Sequence, residues 1–170
     1  MYSLVWERNG YGYDLVRERD HARRAMDQWV ISVRNREDSS GWSQPIVYNL
    51  VTMRRIFNGY GEHTGNDVLH EMAIHPLTPT WVVFQDACLR SFFINFVFDY
   101  SQRWVSSGFK RFCAVVSNSL IPFSYNAPSA LYYWSYAVRV YRCCETRVSI
   151  ALARRLSMKG MLDPNHVLGV

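Results

Sequence analysis

Apolar residues recur at helical spacing along most of the chain, and no strong stretch alternates with the period of two that is typical of a β-strand. Between residues 14 and 36 they form a single stripe, while acidic and basic residues fill the opposite face. Asp14 is a favourable N-cap residue at the start of this segment. The pattern predicts an amphipathic helix over 14–36 that follows an extended arm over 1–13, where Gly and Tyr are frequent.

A second region, 80–104, is apolar on almost every side, and its spacing also predicts a helix. Asp86 and Arg90 are the charged residues of its first half, and they stand four positions apart, so that both lie on one side of a helix. Opposite charges in an apolar environment are tolerated when they pair with each other. We therefore expect a buried ion pair between Asp86 and Arg90.

Residues 112–138 contain no Asp, Glu, Lys, Arg or His, but Pro122 and Pro128 interrupt them. Proline disrupts a helix interior and moves the preceding residue out of the helical region. The stretch therefore predicts an apolar hairpin that is broken by its prolines. After Pro128, apolar residues return in steps of three and four up to a basic turn before Gly160, which predicts a long C-terminal helix over about 129–159.

These elements predict a mainly α-helical chain with little or no sheet. A length of 170 residues suits a single domain, and no tandem repeat or Gly/Ser-rich linker divides it, so 1–170 is expected to form one subunit. Regions 80–104 and 112–138 are too apolar for a free surface, and the prolines make the second region a poor lone membrane span. We expect lipid or other protein chains, rather than the chain's own fold, to cover them. The alternative is an ordinary buried helical hairpin in a soluble protein.

Aromatic side chains suggest how such a chain would meet its partners. The sequence holds 11 Tyr, 9 Phe and 6 Trp. Tyr and Trp combine an apolar body with a polar tip, and they are enriched at protein interfaces and at the boundary between membrane and water. The predicted interface anchors are Trp29, Trp134, Tyr136 and Tyr141.

The net charge of +5 favours anionic partners. Arginines are frequent in the predicted C-terminal helix, and Arg139, Arg142 and Arg147 are the predicted contacts to an anion or a lipid head group. Basic residues mixed with Tyr and Trp would also suit RNA, through phosphate contacts and base stacking. No RNA-binding motif is present, so nucleic acid is the alternative partner.

Residues with catalytic or metal-binding chemistry are sparse. His70, Glu71 and His75 resemble a zinc-binding helix, but the second His follows at five positions instead of four, which turns it about 140° around a helix. The sequence therefore predicts no metal site; if one existed, its candidate ligands would be His63, His70 and His75. No phosphate-binding loop, dinucleotide-binding loop or nucleophile elbow occurs, so we expect neither a cofactor nor an enzyme.

The combined pattern favours a non-catalytic accessory subunit of a large membrane-associated complex. Small, basic, aromatic-rich subunits are common in organellar energy-transducing assemblies such as the respiratory chain, so the mitochondrial inner membrane is the expected setting by analogy. Its partners would be other protein subunits and lipid. Two alternatives stay open: a cytosolic RNA- or ribosome-associated protein, and a helical enzyme or metal-binding protein with a pocket around the three histidines.

Overall fold

The computed structural model describes residues 10–35, 39–113, 126–142, 148–158 and 160. These residues are mainly α-helical and contain no β-strand, which confirms the predicted fold class. In chain order, the α-helices are α1 Arg19–Arg34, α2 Ser39–Ser43, α3 Ile46–Thr52, α4 Glu62–Met72, α5 Thr80–Gln85, α6 Ala87–Arg103, α7 Ser107–Cys113, α8 Ala127–Tyr132 and α9 Ile150–Met158. A π-helical turn, Tyr133–Ala137, continues α8.

Helix α1 confirms the predicted amphipathic helix, although it begins five residues later than expected. Asp14 caps a separate turn instead, because its Oδ1 accepts hydrogen bonds from the main-chain N–H groups of Val16 at 2.8 Å and Arg17 at 3.0 Å. The apolar stripe is buried as its spacing requires, and its members within α1 are Ala22, Met26, Trp29, Val30 and Val33. The charged face of α1 remains towards solvent.

The core is built from aromatic rings that come from different helices and loops. Trp29 meets Phe57 and Phe84 edge-on, with ring centroids 5.3 and 5.4 Å apart. Phe93 completes the cluster at 5.4 Å from Phe84. Trp29 is therefore only 6% exposed, and its prediction as an interface anchor is wrong, because rings of the chain's own fold enclose it.

The apolar region 80–104 forms two helices, α5 and α6, which are separated by an extended residue, Asp86. Phe84, Phe93 and Val97 are fully buried within the chain's own core. The expectation that lipid or other chains cover this region is therefore wrong for these residues. Helix α5 packs among α1, α2, α3 and α6, so its apolar faces have partners within the fold.

The predicted buried ion pair between Asp86 and Arg90 is also wrong. Asp86 is exposed and caps α6, where its Oδ1 accepts the main-chain N–H of Leu89 at 2.6 Å. Arg90 donates from Nη1 to the main-chain carbonyl of Phe84 at 2.8 Å. Each charged group instead binds a backbone group left without a helical partner at the break between α5 and α6, as is usual for polar side chains at helix ends.

The predicted helix over 129–159 is not continuous. Helix α8 and the π-helical turn end before Val138, which is extended with a ψ of 127°, and Arg142 has a positive φ of 56°. Helix α9 then begins at Ile150. The break occurs because the N–H groups of residues 139–141 bind a distant carboxylate instead of the preceding helical carbonyls. The predicted helix also includes residues 143–147 and 159, which lie outside the described part of the chain.

The described end of the predicted arm, residues 10–13, is not helical and packs closely on the turn after α3. Gly12 donates its N–H to the carbonyl of Arg54 at 3.0 Å, and its own carbonyl accepts from the Asn58 side chain at 2.8 Å. A Cβ at Gly12 would stand 1.9 Å from the carbonyl oxygen of Arg55. Only glycine allows this contact. The rest of the arm, 1–9, lies outside the described residues.

Among the described residues, no helix combines the length and the apolar character that crossing a membrane requires. The middle of the predicted apolar hairpin, residues 114–125, lies outside this part of the chain.

Candidate functional site

The C-terminal part of the chain, residues 126–158, attaches to α4 through a buried carboxylate, Asp67. Its Oδ2 accepts the main-chain N–H of Arg139 at 2.9 Å, and its Oδ1 accepts those of Val140 at 2.8 Å and Tyr141 at 3.4 Å. Asp67 is fully buried, and a buried charge requires partners of this kind. These contacts use only the backbone of residues 139–141.

His63 lies one turn before Asp67 on α4 and adds a second attachment. Its Nε2 is 2.9 Å from Asp67 Oδ2, and its Nδ1 is 3.0 Å from the hydroxyl of Tyr133. Tyr133 packs its ring against His63 and against Trp104, with centroids 5.6 and 6.1 Å apart. One side of the segment formed by α8 and the π-helical turn is therefore held against the core.

The other side of this segment is exposed and apolar. Leu131 is 70% exposed and Trp134 is 56% exposed. Together with Ala127, Pro128 and Ala130 they line a shallow surface depression, which we call the Trp134 face. Residues 126–138 include no charged side chain. Contiguous exposed apolar side chains of this kind are a candidate interaction site.

Two other predicted anchors follow this face in the sequence and have contacts within the chain. Tyr136 is exposed, and its ring stacks on Tyr132 at 4.9 Å between centroids. Tyr141 is half-buried, and its hydroxyl donates to Glu62 Oε2 at 3.0 Å. Tyr141 therefore belongs to the attachment on α4, whereas Trp134 alone of the predicted anchors belongs to the Trp134 face.

The arginines predicted to contact an anion are in different settings. Arg139 lies beside a carboxylate, with its Nε 3.8 Å from Glu71 Oε1. Arg142 is exposed, and its guanidinium lies over the ring of Tyr141 at 5.2 Å. Arg147 lies outside the described residues. Of the two described arginines, Arg139 lines a cleft together with Glu71 and Arg103.

The three histidines do not converge on one point. His63 contacts Asp67, while His75 is exposed and accepts the main-chain N–H of Leu77 through Nδ1 at 3.2 Å. His70 is half-buried, and burial lowers the pKa of its imidazole below the ordinary value of 6.5. Within the described ranges, no group of three His, Cys, Asp or Glu side chains is arranged to hold a metal ion.

Four charged residues of this region were not predicted as site residues: Asp67, Glu71, Arg103 and Arg155. The spacing of His63, Asp67 and Glu71 in steps of four on α4 is a signal that these side chains share a helix face. Nothing in the sequence indicates that Arg103 and Arg155, from α6 and α9, meet Glu71.

Comparison with known proteins assigns no family, because no family model, no curated protein and no solved structure matches the chain. The function is therefore inferred from the geometry of the described residues.

Proposed function

We propose that this protein is a non-catalytic subunit that binds another protein chain through the Trp134 face. The observation that carries the proposal is that Leu131 and Trp134 remain exposed although Tyr133, next to them, is fixed against the core. The Trp134 face therefore lies on a segment that is already fixed to the core. Attachment before binding reduces the conformational entropy that would otherwise be lost when the complex forms.

The chemistry of the face favours a protein partner over a membrane surface. Helices that lie on membranes combine an apolar side with Lys and Arg residues that contact anionic head groups. The segment 126–138 has no charged side chain. Trp is also among the residues that contribute most to protein–protein affinity when a partner buries them. The occupant we propose is a protein surface with an apolar pocket for Trp134.

Nucleic acid is a less suitable occupant for the same reason. Single strands bind where basic side chains follow the phosphates next to stacking rings. Arg139, the nearest arginine in sequence after the face, lies beside Glu71. A subunit that binds protein in this way would belong to a larger assembly. Its membrane-associated and mitochondrial setting remains a prediction from the sequence.

The test compares Trp134→Ala with Tyr48→Ala. Both substitutions remove an aromatic ring that is about half exposed, since Trp134 is 56% and Tyr48 52% exposed. Tyr48 belongs to α3 and does not line the Trp134 face. The protein that copurifies in mild detergent at fixed stoichiometry is identified, purified and titrated against each variant. We expect Trp134→Ala to weaken binding at least about thirtyfold, equivalent to about 2 kcal/mol, and Tyr48→Ala to leave it unchanged.

Other occupants give different results and would contradict the proposal. Light scattering that shows a dimer dependent on Trp134 would identify a second copy of the chain. Flotation of the isolated protein with phosphatidylcholine vesicles, lost in Trp134→Ala, would identify a lipid surface. Equal affinity of the wild type, Trp134→Ala and Leu131→Ala for the purified partner would show that binding uses another surface.

A further inference from the structure

A second surface, separate from the Trp134 face, lies between α4, α6 and α9. It is a cleft of about 380 Å³ in which three arginines surround one glutamate. Arg103 donates a hydrogen bond from Nη1 to Glu71 Oε2, and Arg139 Nε lies 3.8 Å from Glu71 Oε1. Arg155 donates from Nη2 to the main-chain carbonyl of Glu71 at 2.6 Å, and not to its carboxylate. These four side chains together carry a formal charge of +2, from three arginines and one glutamate.

Two polar atoms of the cleft residues are buried and have no hydrogen-bond partner among the described residues. They are Nε of Arg155 and Nε2 of His70. Buried polar groups in folded proteins are normally hydrogen-bonded, and a charged N–H without a partner is especially unfavourable. The charge of Arg155, whose hydrogen bond goes to a neutral main-chain carbonyl, is therefore only partly compensated, which favours an anion in the adjacent cleft.

The remaining walls of the cleft indicate what accompanies the anionic group. Phe96, Val148 and Leu152 give it apolar sides. A volume of about 380 Å³ falls in the range of small-molecule sites and exceeds what a bare inorganic ion needs. The cations are all arginines, whose planar guanidinium groups bind the oxygens of phosphate in a forked geometry.

We propose that this cleft binds the phosphate group of a small phosphate monoester whose organic part is apolar. The guanidinium groups of Arg103 and Arg155 contact the phosphate oxygens, and the organic part packs against Phe96 and Leu152. Glu71 pairs with Arg103 and competes with the ligand for it. This cleft shares no lining residue with the Trp134 face.

The experiment is calorimetric titration of the full chain with phenyl phosphate at constant ionic strength, with inorganic phosphate and phenol as comparison probes. We expect saturable binding of phenyl phosphate, weaker binding of inorganic phosphate and no binding of phenol. Arg155→Met should weaken the binding of phenyl phosphate at least about tenfold, because it removes charge-assisted hydrogen bonds. Its control is Arg154→Met, which removes the same charge from an exposed neighbour on α9 that does not line the cleft.

Glu71→Gln separates ligand binding from a merely structural role of the cluster. It frees Arg103 from a competing carboxylate and raises the charge of the cleft, so it should strengthen the binding of phenyl phosphate severalfold. If Arg155→Met unfolds the protein, as its thermal melting without ligand would show, Arg155→Lys and Glu71→Gln provide the test. Absence of saturable binding, equal effects of Arg155→Met and Arg154→Met, or weaker binding by Glu71→Gln would each overturn the proposal.

Discussion

The chain has two aromatic-rich regions, and they are held in different ways. In the core, whose buried cluster runs from Leu15 to Tyr100, aromatic rings from different helices and loops pack against one another. In the C-terminal part, 126–158, the buried hydrophobic residues among those described are Val138 and Leu152. Its described residues bind α4 by hydrogen bonds to Asp67 and His63, and Tyr133 also packs on Trp104. A similar aromatic content thus produces a packed core in one region and an exposed face in the other.

The comparison shows that a side chain's neighbours in space, and not its own hydrophobicity, decide whether it is buried. Each buried ring in the core removes a large apolar area from water and also fills space between helices. The hydrogen bonds of the C-terminal attachment go to the Asp67 carboxylate, and each contributes about 1.5–3 kcal/mol without filling space between helices. We therefore expect the C-terminal part to open locally at a lower free energy than the core.

The largest expected difference between the two regions is the loss of stability when a tryptophan is replaced by alanine. Trp29→Ala should lower the free energy of unfolding by about 3–5 kcal/mol, because it leaves a cavity among Phe57, Phe84 and Phe93. Trp134→Ala should change it by less than about 0.5 kcal/mol, since the ring is exposed. Urea denaturation followed by circular dichroism measures both values. Equal losses would show that the Trp134 face also contributes to the fold.

The next largest effect concerns the attachment of the C-terminal part. Asp67→Ala leaves the N–H groups of residues 139–141 without their acceptor, which should destabilise this contact by about 2–4 kcal/mol. Hydrogen exchange should become faster at these amides and remain slow in α6. Asn66→Ala, at the adjacent position, is the control. Uniform acceleration in both regions would show that they unfold as one unit.

A smaller effect is expected from a buried hydroxyl within the core. Tyr60 donates to the carbonyl of Val97 at 2.7 Å, so Tyr60→Phe should reduce stability by about 1 kcal/mol at neutral pH. Burial also raises the pKa of Tyr60 above its ordinary value of 10.0, and it raises the pKa of Tyr100 in the same direction. Near and above pH 10 the unfolded chain therefore loses these protons first, and stability falls as the pH rises.

The free energy of unfolding measured from neutral pH to about pH 11 checks this prediction. Tyr60→Phe should reduce the alkaline loss without abolishing it, because Tyr100 remains. An unchanged slope in the variant would contradict the role assigned to Tyr60.

The smallest effect should appear at acidic pH, near the attachment of the C-terminal part. Burial lowers the pKa of His70, with opposing influences from Asp67 and Glu71 and a further lowering by Arg139. As the pH falls below about 6.5, the unfolded chain takes up this proton before the folded chain does, so stability decreases. His70→Gln should flatten the pH dependence of unfolding in this range. A steeper pH dependence in His70→Gln than in the wild type would contradict the role assigned to His70.

Part of this structure was predictable because its determinants are local. The stripe of α1 follows from spacing within one helix, and its burial was expected from that spacing. The end of α5 at Asp86 also has a local cause, since the residue is a strong helix cap, but the apolar pattern around it gave no sign that a cap was needed there. The predicted ion pair between Asp86 and Arg90 was wrong because each of them binds a backbone group at this helix end.

The candidate site was less predictable, because its contacts join distant positions. Trp29 and Trp134 were both predicted as interface anchors, although the first lies in the core and the second on the surface. Asp67 meets main-chain groups more than seventy positions away, at Arg139, Val140 and Tyr141. Backbone N–H groups carry no signature in the side-chain sequence, so nothing in the residues 139–141 marks them as its partners.

By itself, the sequence determined that this chain is helical and which face of α1 is apolar. A helix forms through hydrogen bonds between residues four positions apart, so residue spacing is sufficient to predict it. Tertiary structure alone decided which aromatic rings are covered and where the C-terminal helix ends. Ring packing and the capture of three N–H groups by Asp67 depend on residues that only the folded chain brings together.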